Sequence, residues 1–408
     1  MPSTFADLGV STAVADALAA CGVVTPFPIQ TLAIPAALAG RDVTGRAPTG
    51  SGKTLAFGIP LAARVSRARP GRPRALVLAP TRELASQIHE ELRPLLAAAM
   101  ANTSERRSVA SFYGGVSFTP QLKVLRRGVD VAVACPGRLA DLVRRGNIVL
   151  DEVEFVVVDE ADRMADMGFL PEVQRILDMV RPDRQTLLFS ATLDGAVDTL
   201  VRRYQRDPER CDVMPEQSEL DRTTHLFLRA KREERVKVTA KLVDEHGSAV
   251  VFCRTKHGAD RVAGQLQRAG IDAVAIHGDR SQPQRERALA RFASGKVAAL
   301  VATDVAARGI HVDDVGCVVH FDVAADHKDY VHRSGRTGRA GASGVVVSLV
   351  TDADTKKVSG LRKALGLPSG EPERTLRRTE ARTRDDRPAV RGASRVRGRR
   401  SSRRRQAA

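Results

Sequence analysis

The chain has 408 residues and a mass of 44.0 kDa, more than a single compact domain usually contains. Its 65 Lys and Arg residues exceed its 48 Asp and Glu residues by 17, and a surplus of this size indicates a polyanionic partner such as nucleic acid. No apolar run reaches the ~18 residues of a membrane span, the N-terminus lacks the basic flank of a signal peptide, and the five cysteines are scattered without a CxxC pair. These features exclude membrane, secreted, disulfide-framework and structural-zinc proteins, and they predict a reduced protein of the cytoplasm with no membrane partner.

Short apolar runs alternate with helix-like segments along the chain, and each run ends abruptly in a polar string. This alternation predicts α/β architecture with parallel strands buried on both faces. Ligands of such sheets bind beyond the carboxyl ends of the strands. The predicted strands are Asp42–Thr44 (the weakest), Ala75–Ala79, Val129–Ala134, Phe155–Val158, Thr186–Phe189, Ala249–Cys253, Ala273–Ile276, Ala299–Ala302, Gly316–His320 and Val345–Val350.

Two segments interrupt this rhythm. The polar stretch from Met214 to Arg222 predicts a linker (214–222) between a first domain at 1–213 and a second at 223–367. The segment from Glu371 to Ala408 has 14 Arg against 5 acidic residues, so 14 − 5 = +9 of the net charge lies there. With few apolar residues, 368–408 is predicted to be a disordered tail, which either binds nucleic acid or serves solubility.

A phosphate-binding loop is predicted in the string Ala47-Pro48-Thr49-Gly50-Ser51-Gly52-Lys53-Thr54, although the general pattern has Gly where Ala47 stands. Gly50 and Gly52 let backbone N–H groups curl around phosphate oxygens, at a helix N-terminus that favours anions. Lys53 would reach the β and γ phosphates, and Thr54 would offer its hydroxyl to Mg²⁺. The loop therefore predicts binding of a nucleoside triphosphate.

Two carboxylates follow the predicted strand Phe155–Val158. Asp159 stands at the strand end, where its carboxylate can hold Mg²⁺. Glu160 is placed to accept a proton from the attacking water. Together with the loop, this pair predicts Mg²⁺-dependent hydrolysis of the nucleotide.

The string Asp159-Glu160-Ala161-Asp162, together with the loop, resembles the DEAD-box family of ATP-dependent RNA helicases, in their bacterial form. The resemblance runs from about Phe5 to about Val350 in the family's order. It implies two tandem RecA-like domains, each a mostly parallel sheet flanked by helices, with ATP and Mg²⁺ as cofactors.

The segment Gly22–Gln30 resembles the family's glutamine motif, with Phe5 as its upstream aromatic and Val23 where the family usually has Phe. The Gln30 amide offers one donor and one acceptor, which matches the edge of adenine. Nucleotide contacts are therefore predicted for Phe5, Gln30, Thr49, Gly50, Ser51, Gly52, Lys53 and Thr54.

The resemblance assigns further roles in the first half. Ser190-Ala191-Thr192 would couple hydrolysis to RNA through Asp162. Arg, Thr and backbone amide groups bind phosphate oxygens without reading bases, and Cys135, where the family usually has Thr, is a weaker donor. The implied RNA contacts are Pro80, Thr81, Arg82, Gly115, Pro136, Gly137 and Arg138.

The second half has no phosphate loop, and the family's second-domain strings stand in its place. Arg333, Arg336 and Arg339 recur every three residues, which keeps them near one helix face. The resemblance implies that Arg336 and Arg339 are arginine fingers, that His332 and Arg333 take part in coupling, and that His311 stands where the family commonly has Asp. The implied RNA contacts are Arg254, Gln284, Arg287 and Thr303.

The predicted function is an ATP-dependent RNA helicase that binds the RNA backbone across both domains. It would separate short duplexes or remodel RNA–protein complexes, with ribosomal or RNA-processing assemblies as partners. Two alternatives stay open: a DNA helicase of the same superfamily, and an RNA-binding chaperone that acts through the basic tail.

Overall fold

A computed structural model describes residues 4–48, 50–213, 223–307, 315–338 and 344–368. Within these ranges the chain forms two α/β units, each built around one sheet. Every pair of neighbouring strands in both sheets is parallel, as predicted from the continuous apolar runs. The predicted linker at 214–222 and nearly all of the Arg-rich tail lie outside the described residues.

The first unit has seven strands in its described residues, in the order β3-β4-β2-β5-β6-β1-β7. The strands are β1 Val43–Arg46, β2 Ala75–Leu78, β3 Val109–Phe112, β4 Val131–Ala134, β5 Phe155–Val158, β6 Gln185–Ser190 and β7 Glu209–Asp212. The helices are α1 Thr12–Ala20, α2 Pro28–Leu38, α3 Lys53–Arg64, α4 Arg82–Ala99, α5 Phe118–Arg127, α6 Pro136–Arg144, α7 Ala161–Asp166, α8 Leu170–Asp178 and α9 Ala196–Tyr204.

The second unit has a six-stranded sheet in the order β10-β11-β9-β12-β13-β8, again counted over the described ranges. The strands are β8 Thr223–Arg229, β9 Ala249–Phe252, β10 Ala273–Ile276, β11 Ala299–Ala302, β12 Cys317–His320 and β13 Gly344–Val350. The helices are α10 Arg235–His246, α11 Lys256–Arg268, α12 Gln282–Ala293, α13 Asp304–Ala307, α14 His327–Ser334 and α15 Thr355–Leu365, with a 3₁₀ turn at Asp352–Asp354.

Each sheet is buried on both faces, because successive side chains of a strand point in opposite directions. In β2, Ala75 and Val77 belong to one apolar cluster, whereas Leu76 and Leu78 belong to the other. The second sheet repeats this arrangement with two clusters of its own. Helices therefore cover both faces, and the carboxyl edges of the sheets are left for polar loops.

The apolar runs predicted most of the strands. Three runs (155–158, 273–276 and 299–302) have the observed bounds, and the other predicted strands differ by one or two residues at one or both ends. The strands β3, β7 and β8 were not predicted, because none of them is a continuous apolar run. Within the described ranges, no helix combines the length and apolarity that crossing a membrane requires.

Candidate nucleotide and RNA site

The predicted phosphate loop joins the carboxyl end of β1 to the start of α3. Gly50 and Gly52 have φ angles of +86° and +80°, which only glycine adopts readily. The Lys53 ammonium, on a side chain that is nearly buried, donates to the carbonyls of Ala47 (2.9 Å) and Pro48 (3.3 Å). The loop thus curls around its lysine, as a phosphate-binding loop requires. Thr49 lies outside the described residues.

The Gln30 side chain is fully buried between α2 and this loop. Its Oε1 accepts a hydrogen bond from the Phe27 N–H (2.8 Å), and its Nε2 donates to the Gly52 carbonyl (2.9 Å). An amide has a second lone pair and a second N–H, so one acceptor and one donor position remain. Gln30 therefore fixes the loop, and its contact with adenine stays a prediction.

The predicted nucleotide contact Phe5 lies in the core of the first unit with only 3% of its surface exposed. It belongs to the same apolar cluster as buried residues of α1 and α2, so its burial helps to hold the N-terminal segment onto the unit. Its contact with a nucleotide stays a prediction.

Asp159 follows β5 directly and is 3% exposed. Burial raises the pKa of its carboxyl group to about 7, against the opposing attraction of Lys53. One oxygen accepts the N–H of Glu160 (2.9 Å). A buried carboxylate next to a lysine and a phosphate loop suits a hard cation such as Mg²⁺.

Glu160 has the left-handed backbone conformation (φ 51°, ψ 53°), which a non-glycine residue rarely adopts. Asp207 is the only other non-glycine residue of the described chain with positive φ. The buried Oε2 of Glu160 accepts no hydrogen bond, and the guanidinium of Arg163 lies 3.9 Å from it. Such strain is characteristic of functional sites, and it presents an acceptor oxygen that is free of hydrogen bonds.

The residues predicted for coupling meet at the ends of β5 and β6. The Asp162 N–H donates to Ser190 Oγ (3.1 Å), and the Asp162 carboxylate accepts from the Thr192 N–H (3.1 Å) and hydroxyl (3.4 Å). All three side chains are at least partly buried. A shift of the Thr192 segment would therefore be transmitted directly to the helix that follows Glu160.

The two units meet at this edge. One small cavity is lined from the first unit by Lys53, Glu160, Asp162, Arg163 and Ala191, and from the second unit by His332 and Arg336. Arg336 is only 5% exposed although it carries a charge. The predicted base and one predicted arginine finger therefore share a cavity with the lysine of the phosphate loop. Arg339 lies outside the described residues, as does His311.

Arg333 is not among the residues that line this cavity. Its Nε and Nη2 donate to the two oxygens of Asp304 (2.6 and 2.7 Å), and its Nη1 donates to the Asp322 carbonyl (2.7 Å). This bidentate pair fastens α14 to the start of α13. Arg333 thus supports the helix that carries His332, and its predicted part in coupling stays a prediction.

A second contact between the units was not predicted. Arg285 of α12 lies 2.9 Å from Glu83 of α4, and the two side chains are 9% and 6% exposed. Gln282, Arg285, Ala288 and Phe292 are the buried residues of α12. Their helical spacing was the signal that could have identified the inward face.

The predicted RNA contacts Gln284 and Arg287 lie on the exposed face of the same helix. Gln284 accepts the N–H of Ser281 (2.9 Å), and Arg287 donates to the Pro283 carbonyl (3.1 Å). Both bonds are local, and their RNA contacts stay predictions.

The predicted RNA contacts of the first unit lie on the loops after β2 and β3 and at the first residues of the helices α4 and α6. Thr81 caps α4 by accepting the Leu84 N–H (3.3 Å). A Cβ on Gly115 would lie 2.0 Å from Nη1 of Arg82, so only glycine allows this guanidinium to lie against the loop. Arg138 lies 4.0 Å from the centre of the Phe118 ring, a cation–π contact, and donates to the Val116 carbonyl (3.1 Å). The loops are therefore tied together by arginines.

The neighbouring predicted contacts frame this surface. Pro136 and Gly137 begin α6, and nothing lies within 4 Å of a Cβ built on Gly137. Cys135 precedes that helix without a side-chain cap, and burial raises the pKa of its thiol to about 12. The thiol stays neutral, so it cannot act as an anionic acceptor.

In the second unit, the predicted contacts Arg254 and Thr303 follow β9 and β11. Arg254 is exposed, and its backbone N–H donates to Asp322 (2.9 Å). Thr303 is 7% exposed, and its N–H donates to the Ile276 carbonyl (3.3 Å). Both stand at the same carboxyl edge as Arg333.

Comparisons with known proteins agree with these observations. A family model described as DEAD/DEAH box helicase matches residues 27–200, and one described as Helicase conserved C-terminal domain matches 231–341. The chain is 42% identical over 370 residues to DEAD-box ATP-dependent RNA helicase 30 of Arabidopsis thaliana, covering 88% of this chain and 61% of the relative. It is 40% identical over 351 residues to DEAD-box ATP-dependent RNA helicase CshA of Geobacillus kaustophilus, covering 86% and 74%. The chain spans about three fifths of the length of the plant relatives that it matches.

Solved structures carry the same two-unit fold. S. cerevisiae Dbp5 bound to RNA and ADP BeF3 matches with a TM-score of 0.78 and 29% identity, over 91% of this chain and 95% of that one. A DEAD box protein from the hyperthermophile Methanococcus jannaschii matches with a TM-score of 0.52 and 34% identity, over 90% and 98%. At similar coverage, the chain therefore superposes more closely on the Dbp5 complex than on the M. jannaschii protein.

Proposed function

Because the chain belongs to the DEAD-box family of helicases, we propose that it is an RNA-stimulated ATPase that separates short RNA duplexes or remodels RNA–protein complexes. The observation that carries this proposal is the shared cavity, in which Lys53 and Glu160 of one RecA-like unit face Arg336 of the other. A site divided in this way is complete only when both units are in contact. Hydrolysis would therefore depend on contact between the two units, and bound RNA would stabilise that contact.

ATP would bind at the phosphate loop, with Lys53 on the β and γ phosphates and Gly50 to Gly52 offering backbone N–H groups. Mg²⁺ would be held by the Thr54 hydroxyl and the Asp159 carboxylate, together with phosphate oxygens. The buried oxygens of Asp159 beside Lys53 fit such a cation. When bound, Mg²⁺ neutralises charge on the phosphates.

Glu160 would accept the proton of the attacking water through its free Oε2. Arg336 would stabilise the charge that develops on the γ-phosphate, and Arg339 is proposed for the same task. Asp162, Ser190 and Thr192 would pass the state of the nucleotide to the interface, since their hydrogen bonds connect the end of β6 to the helix that follows Glu160.

RNA would lie across the carboxyl edges of both units, bound through its backbone by Arg82, Arg138 and Arg254 together with backbone amides. Phosphate contacts position a strand without reading its sequence. The Glu83–Arg285 pair supports this assignment, because it lies one residue from Arg82 and holds the two RNA-binding edges together. ATP and RNA would then strengthen each other's binding, because both favour the closed arrangement.

The test is steady-state ATP hydrolysis by the full chain with no nucleic acid, with single-stranded and duplex RNA, and with DNA of the same sequences. We expect stimulation by RNA and strand separation of short RNA duplexes. Stimulation by DNA alone would favour the DNA helicase. RNA annealing by residues 368–408 alone, without ATP hydrolysis by the full chain, would favour the chaperone.

We also propose domain bounds of 1–213 and 223–367 and a nucleic-acid-binding role for the tail. Ribosomal or RNA-processing assemblies are the proposed partners, and the cytoplasm is the proposed location.

A further inference from the structure

We propose that a cavity at the amino edge of the first unit's sheet is a binding site for terminal phosphate groups. The cavity has a volume of about 670 Å³, within the range of about 300–1,000 Å³ that is usual for small-molecule sites. It is lined by segments that directly precede β1, β5, β6 and β7, whereas the nucleotide site lies at the carboxyl edge. The six residues of β6 span about 20 Å, so the two sites are separate.

Five arginines line the cavity, and two of them form ion pairs. Arg41 pairs with Glu209, and Arg181 binds Asp183 through two nitrogens. The other three have no carboxylate oxygen within 4 Å among the described residues. They are Arg64, Arg184 and Arg206. Because a guanidinium group stays charged in proteins, the cavity contains three cations that no ion pair neutralises.

The environment of Arg184 is unfavourable for its charge. Its Nη1 donates to the Arg181 carbonyl (3.0 Å), whereas its buried Nε has no hydrogen-bond partner. Burial lowers the pKa of the Arg184 guanidinium, an effect that Asp42 opposes and that Arg206 increases. A bound anion would offset the cost of keeping Arg184 charged beside Arg206, because opposite charge favours the charged form of both.

Most carboxylates of the cavity are occupied by donors from the protein itself. Asp42 accepts two backbone N–H groups (2.7 Å each), and Glu154 accepts the N–H and the hydroxyl of Ser66. Asp183 is in the ion pair described above. Among the described residues that line the cavity, Asp207 has the one carboxylate without a hydrogen bond or ion pair, and it is exposed. Three unpaired cations thus outnumber one unpaired carboxylate, a balance that attracts anions.

A terminal phosphate group fits three guanidiniums better than a carboxylate does. At neutral pH it carries a charge of about −1.5 to −2 and three acceptor oxygens, and the planar guanidinium fork binds such oxygens through two parallel hydrogen bonds. A carboxylate has a single charge and two oxygens. The same group occurs at a 5′-phosphorylated RNA end and in a free oligophosphate, so either source would present it to this cavity.

The test follows the reaction of individual arginines of the full chain with phenylglyoxal, a guanidinium reagent, by peptide mass spectrometry. Arg64 and Arg206 are both exposed and report on the cavity, whatever binds at the phosphate loop. With inorganic tripolyphosphate at about ten times its dissociation constant, we expect both to react about tenfold more slowly. Arg202 of α9 is the control, because it is 79% exposed and does not line the cavity.

One variant and two further ligands identify the chemistry of the site. Arg184→Met keeps an unbranched side chain but removes the charge, so it should abolish the protection of Arg64 and Arg206. Citrate, a tricarboxylate, should not protect them. Protection by a short 5′-phosphorylated RNA, and not by its 5′-hydroxyl form, would assign the phosphate to an RNA end. Protection by tripolyphosphate alone would assign it to a free oligophosphate.

Four results would overturn the inference. Unchanged reaction of Arg64 and Arg206 with tripolyphosphate and with phosphorylated RNA would show that the cavity binds neither. Equal slowing at Arg202 would indicate general screening of charge, and equal protection by citrate would indicate a site without preference for phosphate. Protection that persisted in Arg184→Met would mean that the buried cation takes no part. None of these measurements depends on ATP hydrolysis, so the inference and the proposed function are tested separately.

Discussion

The two units share one strand order but have different chemistry at the same edge. Aligning the order β3-β4-β2-β5-β6-β1 with β10-β11-β9-β12-β13-β8 gives every strand except β7 a counterpart. β2 and β9 are both followed by a threonine that caps the next helix: Thr81 accepts the Leu84 N–H, and Thr255 accepts the Gly258 N–H. These caps are a feature that the two units have in common.

The segments that follow β1 and β8, by contrast, differ in their chemistry. β1 leads into the glycine loop and Lys53, whereas β8 leads into the charged, glycine-free segment 230–234. After β5 stand Asp159 and Glu160, whereas after β12 stand Phe321 and Asp322. The shared topology therefore places ligand sites at the same edge of both sheets. The loop sequences determine which unit has the phosphate loop and which unit contributes arginine side chains.

The largest expected effect comes from removing the cation that the second unit contributes. Arg336→Ala should lower RNA-stimulated ATP turnover by about 10³–10⁵, because charge on the γ-phosphate would lose its stabiliser. Single-turnover hydrolysis measures this. Arg268→Ala, which removes an exposed arginine at the end of α11, is the control. If Arg336→Ala kept the wild-type turnover and unfolded at the normal temperature, the proposal that the second unit contributes a catalytic arginine would be contradicted.

The second effect concerns the first unit. Glu160→Gln should lower turnover by about 10²–10⁴ while leaving ATP binding intact, because the proton acceptor is lost and Asp159 is kept. Fluorescence titration with an ATP analogue and a phosphate-release assay separate the two steps. Glu90→Gln, on an exposed face of α4, should behave as wild type. Wild-type turnover in Glu160→Gln would contradict its role as base.

The third prediction tests whether the buried contact between the units holds them together. Removing one member of a buried ion pair costs about 3–5 kcal/mol, part of which is recovered when the cleft opens and the remaining charge is hydrated. We therefore expect Arg285→Ala to raise the RNA concentration for half-maximal ATPase activity by about 10- to 100-fold.

A double-mutant cycle with Glu83→Gln should show strong coupling for this pair, since each variant alone breaks the same contact. Arg291→Ala on the exposed face of α12 serves as the control. Additive effects of the two substitutions would mean that the pair does not act as a unit.

The smallest effect is on stability and depends on pH. The raised pKa of Asp159, about 7, means that the folded chain keeps a proton that the unfolded chain releases near pH 4. Stability is therefore lost as the pH rises from about 4 to 7 and stays reduced above that. Asp159→Asn should raise Tm by a few degrees at pH 8 and leave it unchanged near pH 4.

Asp322→Asn, at the matching position after β12, should lower Tm instead. The Asp322 carboxylate accepts from the Arg254 N–H and from Arg235, and both bonds weaken when it becomes an amide. Thermal melts of the two variants at pH 4, 6 and 8 provide the comparison. A lower Tm for Asp159→Asn at pH 8 would show that its charge stabilises the fold.

The sequence predicted every interior strand, because a strand buried on both faces forms a continuous apolar run. The missed strands β3, β7 and β8 all lie at sheet edges, and the fourth edge strand, β10, was predicted because Ala273–Ile276 is itself an apolar run. Edge strands are half exposed, so Glu209–Asp212 carries charges where an interior strand has valines. A pattern of apolar runs cannot detect such a strand.

The candidate site likewise contains residues that a local string predicts and contacts that only the fold brings together. Lys53 could be predicted from the string of the phosphate loop, and Asp159 and Glu160 from the string that follows β5, because each string is short and contains its own signal. The Glu83–Arg285 pair and the bonds of Gln30 to Phe27 and Gly52 depend on segments that only the folded chain brings together. They became visible with the tertiary structure.

The backbone of Glu160 has a consequence for the choice of residue at that position. A left-handed conformation costs a non-glycine residue about 1–3 kcal/mol, which glycine would not pay. Gly or Asn at this position would relieve that strain, so each replacement should make the fold more stable. The fold alone therefore does not call for glutamate at position 160, and the proposed role in hydrolysis would account for it at a cost in stability.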